Sequence, residues 1–326
     1  MANIGFLHSG QQALNAAELS AFFKALSDNG YTEGVNLTVY RQFANDDRDN
    51  LRPLADTLAM MRNPTLNLIV AAGGSASAKA AIDANNAANS AAPIPIIFTS
   101  VSDPVGSGFV GDLDNPGKGN TNNATGVAAF SSELDAARLE LLMELLPGKR
   151  KFGVLVNSAR PRFGDIDDEK KPGEFKELHD FAKFDPDKDL KDANPKSKAT
   201  KPNRKADIPG AFKFFNDNTY DGVLVTADPL FNDQRAAVLA ATDGLPTVYQ
   251  WREFVDAGGL MSFGPSITEC YAQAGVYAAK VLGGAPTASI PIALPQKFEL
   301  VINIRTAKKL NLRIPASLLS RAIVVQ

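Results

Sequence analysis

Cysteine and histidine are scarce in this chain of 326 residues, which contains one cysteine, Cys270, and two histidines, His8 and His179. A single cysteine excludes an internal disulfide, and these residues are too few for a cysteine-rich or histidine-rich metal site. No apolar run approaches the ~18 residues that cross a bilayer. The first ten residues, MANIGFLHSG, show no basic segment and no small-residue cleavage site, so no secretion signal is visible.

An excess of positive charge is also missing. The chain carries 34 lysines and arginines against 36 aspartates and glutamates, a net charge of −2. Nucleic-acid-binding domains usually present a basic patch, so nucleic acid is not an expected partner. Hydrophobic residues make up 44% of the sequence, enough for a sizeable core. The length is about twice a typical domain of ~150 residues, which favours two lobes.

Short apolar strands alternate with helical patterns in both halves of the chain. The nearly continuous apolar run Leu66–Ala71 is typical of a parallel strand covered on both faces. In the helix that follows the second strand, Asn50 is the predicted cap. The pattern restarts after the polar, glycine-rich segment 106–123. The alternation predicts an α/β fold of two doubly wound parallel-sheet lobes. Strands are predicted at 4–7, 37–40, 66–71, 94–98, 152–156, 222–225 and 247–248.

Two other segments are interpreted as having no ligand-binding role. Residues 106–111 match the glycine spacing of a dinucleotide-binding loop, but a proline-glycine turn follows where that mechanism needs a helix N-terminus. The match is therefore taken as accidental. Residues 185–207 are dense in Lys, Asp, Asn and Pro, which predicts a solvated surface insertion.

Catalytic machinery is not visible in the sequence. The chain has no Gly-x-Ser-x-Gly elbow, and neither histidine stands in a recognisable base context. His8 directly follows the first strand. It is either a loop histidine with satisfied hydrogen bonds or a direct ligand contact, and the sequence leaves both interpretations open. Cys270 lies in an apolar-periodic stretch, which predicts a small buried core residue.

Glycine and small hydroxyl residues collect after the predicted strands, where ligands bind in open α/β sheets. Ser75 begins a helix whose N-terminus would accept a carboxylate, or it simply caps that helix. Asp228 would receive an ammonium group, or it too is a cap. Aromatic rings after the strand at 247–248 would hold an apolar ligand body, or they pack at a domain junction. The candidate ligand-binding residues are Ser9, Gly74, Ser75, Thr99, Ser100, Ser102, Asn157, Asp228, Tyr249 and Trp251.

Four segments carry a resemblance to a known family. They are PIIFTSVSDPVGSG at 95–108, NATG at 123–126, REFVDAGGLMSFG at 252–264 and KFELVINIRTAK at 297–308. Together, in this order, they resemble the ABC-transporter substrate-binding proteins that include tryptophan- and tyrosine-type uptake components. By that resemblance Ser9, Ser75 and the 99–102 segment match ligand loops of the first lobe, and Asp228 matches an aspartate of the second.

The resemblance implies a type I periplasmic-binding-protein fold, in which two lobes joined by crossing strands close on a small ligand. Crossings are expected near Thr125, Tyr249 and Pro291. Lobe 1 would then contain residues 1–124 and 250–290, and lobe 2 residues 125–249 and 291–326.

The function implied is that of the extracytoplasmic, periplasmic solute-binding component of an ABC-type importer. It would bind an amino acid, aromatic compound or carboxylate as a monomer and deliver it to a membrane permease with its ATPase. It would use no cofactor and no metal and perform no catalysis. A ligand-sensing receptor module and an α/β enzyme using the same cleft remain the alternatives.

Overall fold

Two compact units make up the chain in the computed structural model. The first contains Met1–Phe130 and Pro265–Phe298, and the second contains Ser131–Gly264 and Glu299–Gln326. Each unit holds one β-sheet flanked by helices, which confirms the predicted α/β class with two parallel-sheet lobes. The structure describes residues 1–45, 47–88, 93–129, 134–155, 182–184, 208–227, 231–232, 234–242 and 244–326.

The sheet of the first unit is parallel throughout and has the strand order β2-β1-β3-β4-β5. All five residues of its central strand β3 are buried, as its continuous apolar sequence predicts, because helices cover both faces. The strands are β1 (Ala2–His8), β2 (Leu37–Phe43), β3 (Leu68–Ala72), β4 (Ile96–Val101) and β5 (Ala124–Ala128).

Helices from distant parts of the chain cover this sheet. Helices α2 (Arg48–Ala59) and α3 (Ser75–Ala87) bury apolar side chains in one core layer. Helix α1 (Ala16–Asp28) shares the opposite layer with a helix at Ile267–Leu282, α8 in chain order. Cys270 is buried in that second layer, as predicted. The first unit is therefore discontinuous in sequence.

The start of α2 differs from the sequence prediction. Asp47, not Asn50, is the N-cap: its backbone is extended and its carboxylate accepts a hydrogen bond from the Asp49 amide at 3.0 Å. Asn50 already lies in the first helical turn, where its amide donates to the Asp47 carboxylate at 3.0 Å. A cap residue must have non-helical backbone angles, and Asp47 meets that condition.

The second sheet has seven strands in the order β12-β11-β10-β9-β8-β6-β7. The pairs β6/β7, β6/β8, β8/β9, β9/β10 and β11/β12 are parallel. The strand order reverses between β6 and β8, since β7 lies on one side and the later strands follow on the other. The strands are β6 (Phe152–Leu155), β7 (Ala182–Phe184), β8 (Gly222–Val225), β9 (Thr247–Tyr249), β10 (Met261–Pro265), β11 (Phe298–Asn303) and β12 (Ile323–Val325).

Helices on the second sheet pack on two core layers. Leu139 and Leu142 of α4 pack with Val154 of β6 in one layer, and Phe212 and Phe215 of α5 lie in the other. The helices are α4 (Asp135–Leu145), α5 (Ile208–Asp217), α6 (Arg235–Ala241), α7 (Arg252–Asp256), α9 (Ile304–Lys309) and α10 (Ala316–Leu319).

The unit boundaries differ from the crossings expected near residues 125, 249 and 291. Residues 250–264 lie in the second unit, because β10 pairs with β9 and Met261 faces Val248. Thr125 lies inside the first unit, where its buried hydroxyl donates to the Ile290 carbonyl at 2.7 Å. Strand pairing, which a sequence motif does not reveal, decides the unit to which each segment belongs.

Three further features bear on the sequence predictions. In the described part of the chain, no helix has both the length and the apolar character needed to cross a membrane. The predicted polar insertion at 185–207 lies outside the described residues. Between β4 and β5 the glycine-rich segment forms turns, such as that closed by the Gly106 amide on Asp103 at 2.7 Å, and no helix follows it before β5. The dinucleotide-loop spacing is indeed accidental.

Candidate functional site

The carboxyl ends of β1 and β3 form the topological switch point of the first sheet. From β1 the sheet extends to β2 on one side and to β3, β4 and β5 on the other. Ligands of open α/β sheets bind beyond the carboxyl ends of the strands, where the strand order reverses. The residues at these strand ends define the candidate site, namely Ser9, Gly73, Gly74, Ser75, Thr99, Ser100 and Ser102.

Hydrogen bonds connect three strand ends at this site. The Ser9 hydroxyl donates to the Gly73 carbonyl at 2.9 Å, and the Gly73 amide donates to the Thr99 hydroxyl oxygen at 3.2 Å. Gly73 has a φ of +86°, and a Cβ there would lie well inside van der Waals distance of the Ser9 hydroxyl. Only glycine meets both conditions, so the backbone can pass between the two hydroxyl groups.

Helix α3 begins at this site with Ser75, whose side chain is buried. The N-cap is Gly74, with a φ of +99° and no side chain to accept the first amides of the helix. The alternative that Ser75 itself caps α3 is therefore wrong. Its hydroxyl lies 3.3 Å from that of Ser102 and accepts the Ser102 amide at 3.4 Å. A helix start of this kind attracts an anion through its N–H groups and dipole.

Ser100 has an unusual backbone at the end of β4. Its φ is +53°, and the β4/β5 register shifts between Phe98 and Val101. A non-glycine residue in this conformation costs ~1–3 kcal/mol and is often found at functional sites. The hydroxyls of Ser100 and of Ser77, the third residue of α3, are buried without a hydrogen-bond partner among the described residues. These two hydroxyls are polar groups that the described part of the chain leaves unsatisfied.

His8 is a buried structural residue beside this site. Its Nδ1 accepts the Gly10 amide at 2.8 Å, and its Nε2 lies 2.9 Å from the Tyr271 hydroxyl. Its ring stacks on Phe43 with centroids 5.4 Å apart. Burial lowers the pKa of His8 to about 4, while the hydrogen bond with Gly10 acts in the opposite direction. Of the two alternatives, the structure favours the histidine with satisfied hydrogen bonds.

The chemistry of the first unit's site is that of neutral donors and acceptors. Its seven residues are hydroxyl side chains and glycine backbone, and the adjacent His8 is neutral at physiological pH because its pKa is about 4. Hydroxyls and the N-terminus of α3 can hold a carboxylate or a neutral polar group by hydrogen bonds. They do not form a nucleophile activated by a base.

The second unit has its own switch point, between β6 and β8. Thr226 directly follows β8, and its buried hydroxyl donates to the Leu155 carbonyl at the end of β6 at 2.9 Å. This repeats the bond of Ser9 across the first switch point. Thr226 was not among the predicted site residues, although its place after an apolar strand was visible in the sequence. The predicted ligand residues Asn157 and Asp228 lie outside the described residues.

The two aromatic candidates of the second unit differ in their surroundings. Tyr249 is 1% exposed in the core, stacked on Phe254 with ring centroids 4.7 Å apart. Burial raises the pKa of Tyr249 to about 12. Its hydroxyl lies 3.5 Å from that of Thr242. Tyr249 thus packs in the core, in agreement with the alternative of ordinary packing, and its role as a ligand contact stays a prediction. Trp251 is half-buried at the N-cap of α7 against the same core, and a ligand contact there stays a prediction.

A buried ion pair lies in the first turn of α4, and sequence reasoning missed it. Arg138 donates to the Asp135 carboxylate at 2.6 Å and to the Phe263 carbonyl at 2.6 Å. The two side chains are 0% and 4% exposed. Burial raises the pKa of Asp135 to about 6 and lowers the pKa of Arg138, while the attraction between the two charges opposes both shifts. The signal was a pair of opposite charges three residues apart at the start of a helix, a spacing that places two side chains on the same face.

Comparisons with known proteins agree with this architecture. A family described as "ABC transporter substrate binding protein" matches residues 11–163 and 190–326. The chain is 26% identical over 300 residues to a tyrosine-binding protein of Clostridioides difficile strain R20291, an alignment that covers 90% of this chain and 76% of that protein.

Solved structures share the fold over the whole chain. A conserved domain protein of Vibrio cholerae has a TM-score of 0.77 at 22% identity, covering 100% of this chain and 99% of its own. A domain from Streptococcus pneumoniae solved in complex with L-Trp has a TM-score of 0.78 at 20% identity, with the same coverage. At these identities the likeness establishes the fold.

Proposed function

The chain belongs to the ABC transporter substrate binding protein family, and from that premise we propose that it is the solute-binding component of an importer for an amino acid. The ligand's carboxylate is held at the N-terminus of α3 in the first unit, and binding closes the two lobes on the ligand. A membrane permease and its ATPase then receive the solute. Proteins of this family act outside the cytoplasm, and we place this chain there too.

One observation carries the proposal, namely the set of hydroxyls around the start of α3. Ser75, Ser100 and Ser102 meet there, and the Ser100 hydroxyl is buried with no partner among the described residues. A carboxylate accepts hydrogen bonds at four lone-pair positions and so satisfies several hydroxyl donors at once. The dipole of α3 adds a favourable interaction with its negative charge.

The class of amino acid follows from relatives rather than from the site. One relative is called a tyrosine-binding protein, and one structural neighbour was solved with L-Trp. We therefore propose an aromatic amino acid, for which L-tyrosine and L-tryptophan are the first probes. The proposal assigns no catalytic step, since the site's hydroxyls have no activating base among the described residues.

Titration calorimetry with L-tyrosine and L-tryptophan tests this function. Ser75→Ala removes the acceptor of the Ser102 amide and a donor near the ligand, and we expect about a tenfold weaker affinity. Ser289→Ala is the matched control, because this serine is exposed in the same unit and, within the described part of the chain, its hydroxyl bonds only the Pro286 carbonyl. Its affinity is expected to equal that of the wild type.

Three outcomes would contradict the proposal. Absence of binding by amino acids would reject the ligand class. Equal affinity of Ser75→Ala and wild type would reject the site. Conversion of the bound compound to a product during long incubation, followed by mass spectrometry, would favour an α/β enzyme. Lobe closure is tested separately by small-angle scattering, where ligand is expected to lower the radius of gyration.

A further inference from the structure

Residues 304–326 of the second unit carry charge of one sign only. This segment contains five lysines and arginines and no aspartate or glutamate, although the whole chain has a net charge of −2. It forms α9, α10 and the edge strand β12. Such a concentration of positive charge in a nearly neutral chain indicates a surface that attracts anions. The basic residues are Arg305, Lys308, Lys309, Arg313 and Arg321.

The fold separates the basic side chains of this segment from its apolar ones. Ala307 and Leu318 are buried in the core layer that contains α4 and β6. Leu310, Leu312 and Ile314 pack against the same layer. All five basic residues are exposed. The apolar side chains therefore fix the segment on the second sheet, and the cations face solvent.

Three of the cations share one face of α9. Arg305 precedes Lys308 by three residues and Lys309 by four, spacings that place side chains on the same face of a helix. The helix dipole favours cations in the last turn, where Lys308 and Lys309 lie, but disfavours a cation in the first turn, where Arg305 lies. Stabilisation of α9 therefore does not account for all three charges.

The charge of this segment is largely uncompensated. Arg321 pairs with Glu144 of α4. The Asp256 carboxylate, two residues before the carbonyl that accepts the Thr306 hydroxyl of α9, is paired with Arg252 at 3.1 Å. In the described part of the chain, the side chains of the other four cations have no ion pair and no hydrogen bond. These four form the basic face, which consists of Arg305, Lys308, Lys309 and Arg313.

Exposed apolar side chains accompany the basic face. Leu319, Ile323 and Val324 are 39%, 41% and 42% exposed. Ile323 and Val324 lie in β12, whose register places Val325 opposite Asn303, the N-cap of α9. The strand with two exposed apolar residues therefore lies beside the helix that carries three of the four cations.

We propose that the basic face is a contact surface for anionic phospholipid headgroups, by which the second unit adheres to a negatively charged membrane surface. Clusters of about four to eight lysines and arginines are attracted to such surfaces. An acidic protein or a nucleic acid would match the charges equally well, but the exposed Leu319, Ile323 and Val324 favour lipid, since the headgroup region accepts apolar side chains. The inference goes beyond the proposed function and needs neither the first unit's site nor the identity of the solute.

Sedimentation of the purified protein with lipid vesicles tests this surface. Vesicles of phosphatidylglycerol and phosphatidylcholine in equal parts are compared with vesicles of phosphatidylcholine alone. Both are measured at about 0.01 M and about 0.15 M salt, between which the screening length falls from about 30 Å to about 8 Å. We expect binding to the anionic vesicles only, and weaker binding at the higher salt concentration. This lipid and salt dependence tests the inference without any variant.

A triple variant locates the binding surface. Lys308→Gln, Lys309→Gln and Arg313→Gln together remove three of the four charges of the basic face at exposed positions. Because each cation near an anionic surface contributes to the attraction, we expect the variant to bind anionic vesicles at least about tenfold more weakly than the wild type. Its melting temperature should equal that of the wild type, since these side chains have no partner in the described part of the chain.

A second triple variant controls for net charge. It removes the same number of charges from exposed lysines of the first unit, by Lys24→Gln, Lys79→Gln and Lys280→Gln. This control is expected to bind anionic vesicles as the wild type does. Equal loss of binding in both triple variants would assign the attraction to the charge of the whole chain and would overturn the inference.

Two further results would also reject the lipid contact. One is the absence of wild-type binding to anionic vesicles at the lower salt concentration. The other is binding of poly-L-glutamate, but not of vesicles, in a manner that the basic-face variant loses, which would assign the surface to an acidic protein. Neither result bears on the affinity for amino acids, so the proposed function is tested independently.

Discussion

Protonation of His8 should make the first unit unstable in mild acid. The imidazole is buried between Phe43 and Tyr271, accepts the Gly10 amide and has a pKa of about 4 against an ordinary value of 6.5. The folded-state pKa lies below that of the unfolded chain, so the unfolded chain binds a proton more readily. The contribution of neutral His8 is complete above pH 6.5 and is lost as the pH falls toward 4.

The magnitude follows from the difference between the two pKa values. A difference of about 2.5 corresponds to ~3 kcal/mol, since each pKa unit is worth ~1.4 kcal/mol. Asp135 acts in the opposite direction. Burial raises its pKa to about 6, so its contribution to the stability of the protein decreases as the pH rises through the same range. The wild-type curve alone therefore shows a partial cancellation, and a variant is needed to isolate the histidine.

The variant is His8→Asn, whose amide oxygen can still accept the Gly10 amide but does not titrate. Urea unfolding is followed by circular dichroism at pH 7.5, 6.5, 5.5 and 4.5. We expect the wild type to lose ~2–3 kcal/mol more than His8→Asn between the first and the last pH. Tyr271→Phe is the control, because it removes the partner of Nε2 and keeps the titrating ring. Parallel pH curves for wild type and His8→Asn would refute this reasoning.

Three other changes have definite expected outcomes in urea unfolding. Gly73→Ala should destabilise by at least ~2 kcal/mol, because its φ of +86° strains an alanine and the Cβ meets the Ser9 hydroxyl; an unchanged midpoint would contradict the tight site. Arg138→Met should lower the free energy of unfolding by ~3–5 kcal/mol, because it leaves the Asp135 carboxylate buried without its partner. Adding Asp135→Asn should restore part of the lost stability. Gly264→Ala should lower the free energy of unfolding by ~2 kcal/mol or more, because its Cβ would clash with the Gln250 carbonyl. Wild-type stability of this variant would show that β10 can shift to make room for the Cβ.

Local pattern predicted seven of the strands and the candidate residues of the first unit's site, but it did not predict β5, β7, β10, β11 and β12. The apolar run of β3 and the glycine and serine residues after it identified both a buried parallel strand and the start of α3. Ser9, Ser75, Thr99, Ser100 and Ser102 were all predicted from their places at strand ends, because the carboxyl ends of parallel strands meet at one edge of a sheet. Their roles in binding remain predictions.

Other features depend on contacts between residues far apart in sequence. The roles of His8 and Tyr249 were left open by the sequence, because burial and hydrogen-bond partners decide them, and the partner Tyr271 lies 263 residues beyond His8. The bounds of the two compact units differ from the expected lobe bounds at residues 250–264, because β10 pairs with β9. A segment's own composition contains no information about the strand with which it pairs.

The sequence by itself determined the alternation of strands and helices, the family and the hydroxyl-rich character of the first unit's site. These depend on residue order and periodicity, which are local properties. Only the tertiary structure decided that Tyr249 is core, that Asp135 and Arg138 form a buried pair, and that the Ser100 hydroxyl has no partner among the described residues. Whether a polar side chain is satisfied depends on every atom within hydrogen-bond distance, and folding alone brings those atoms together.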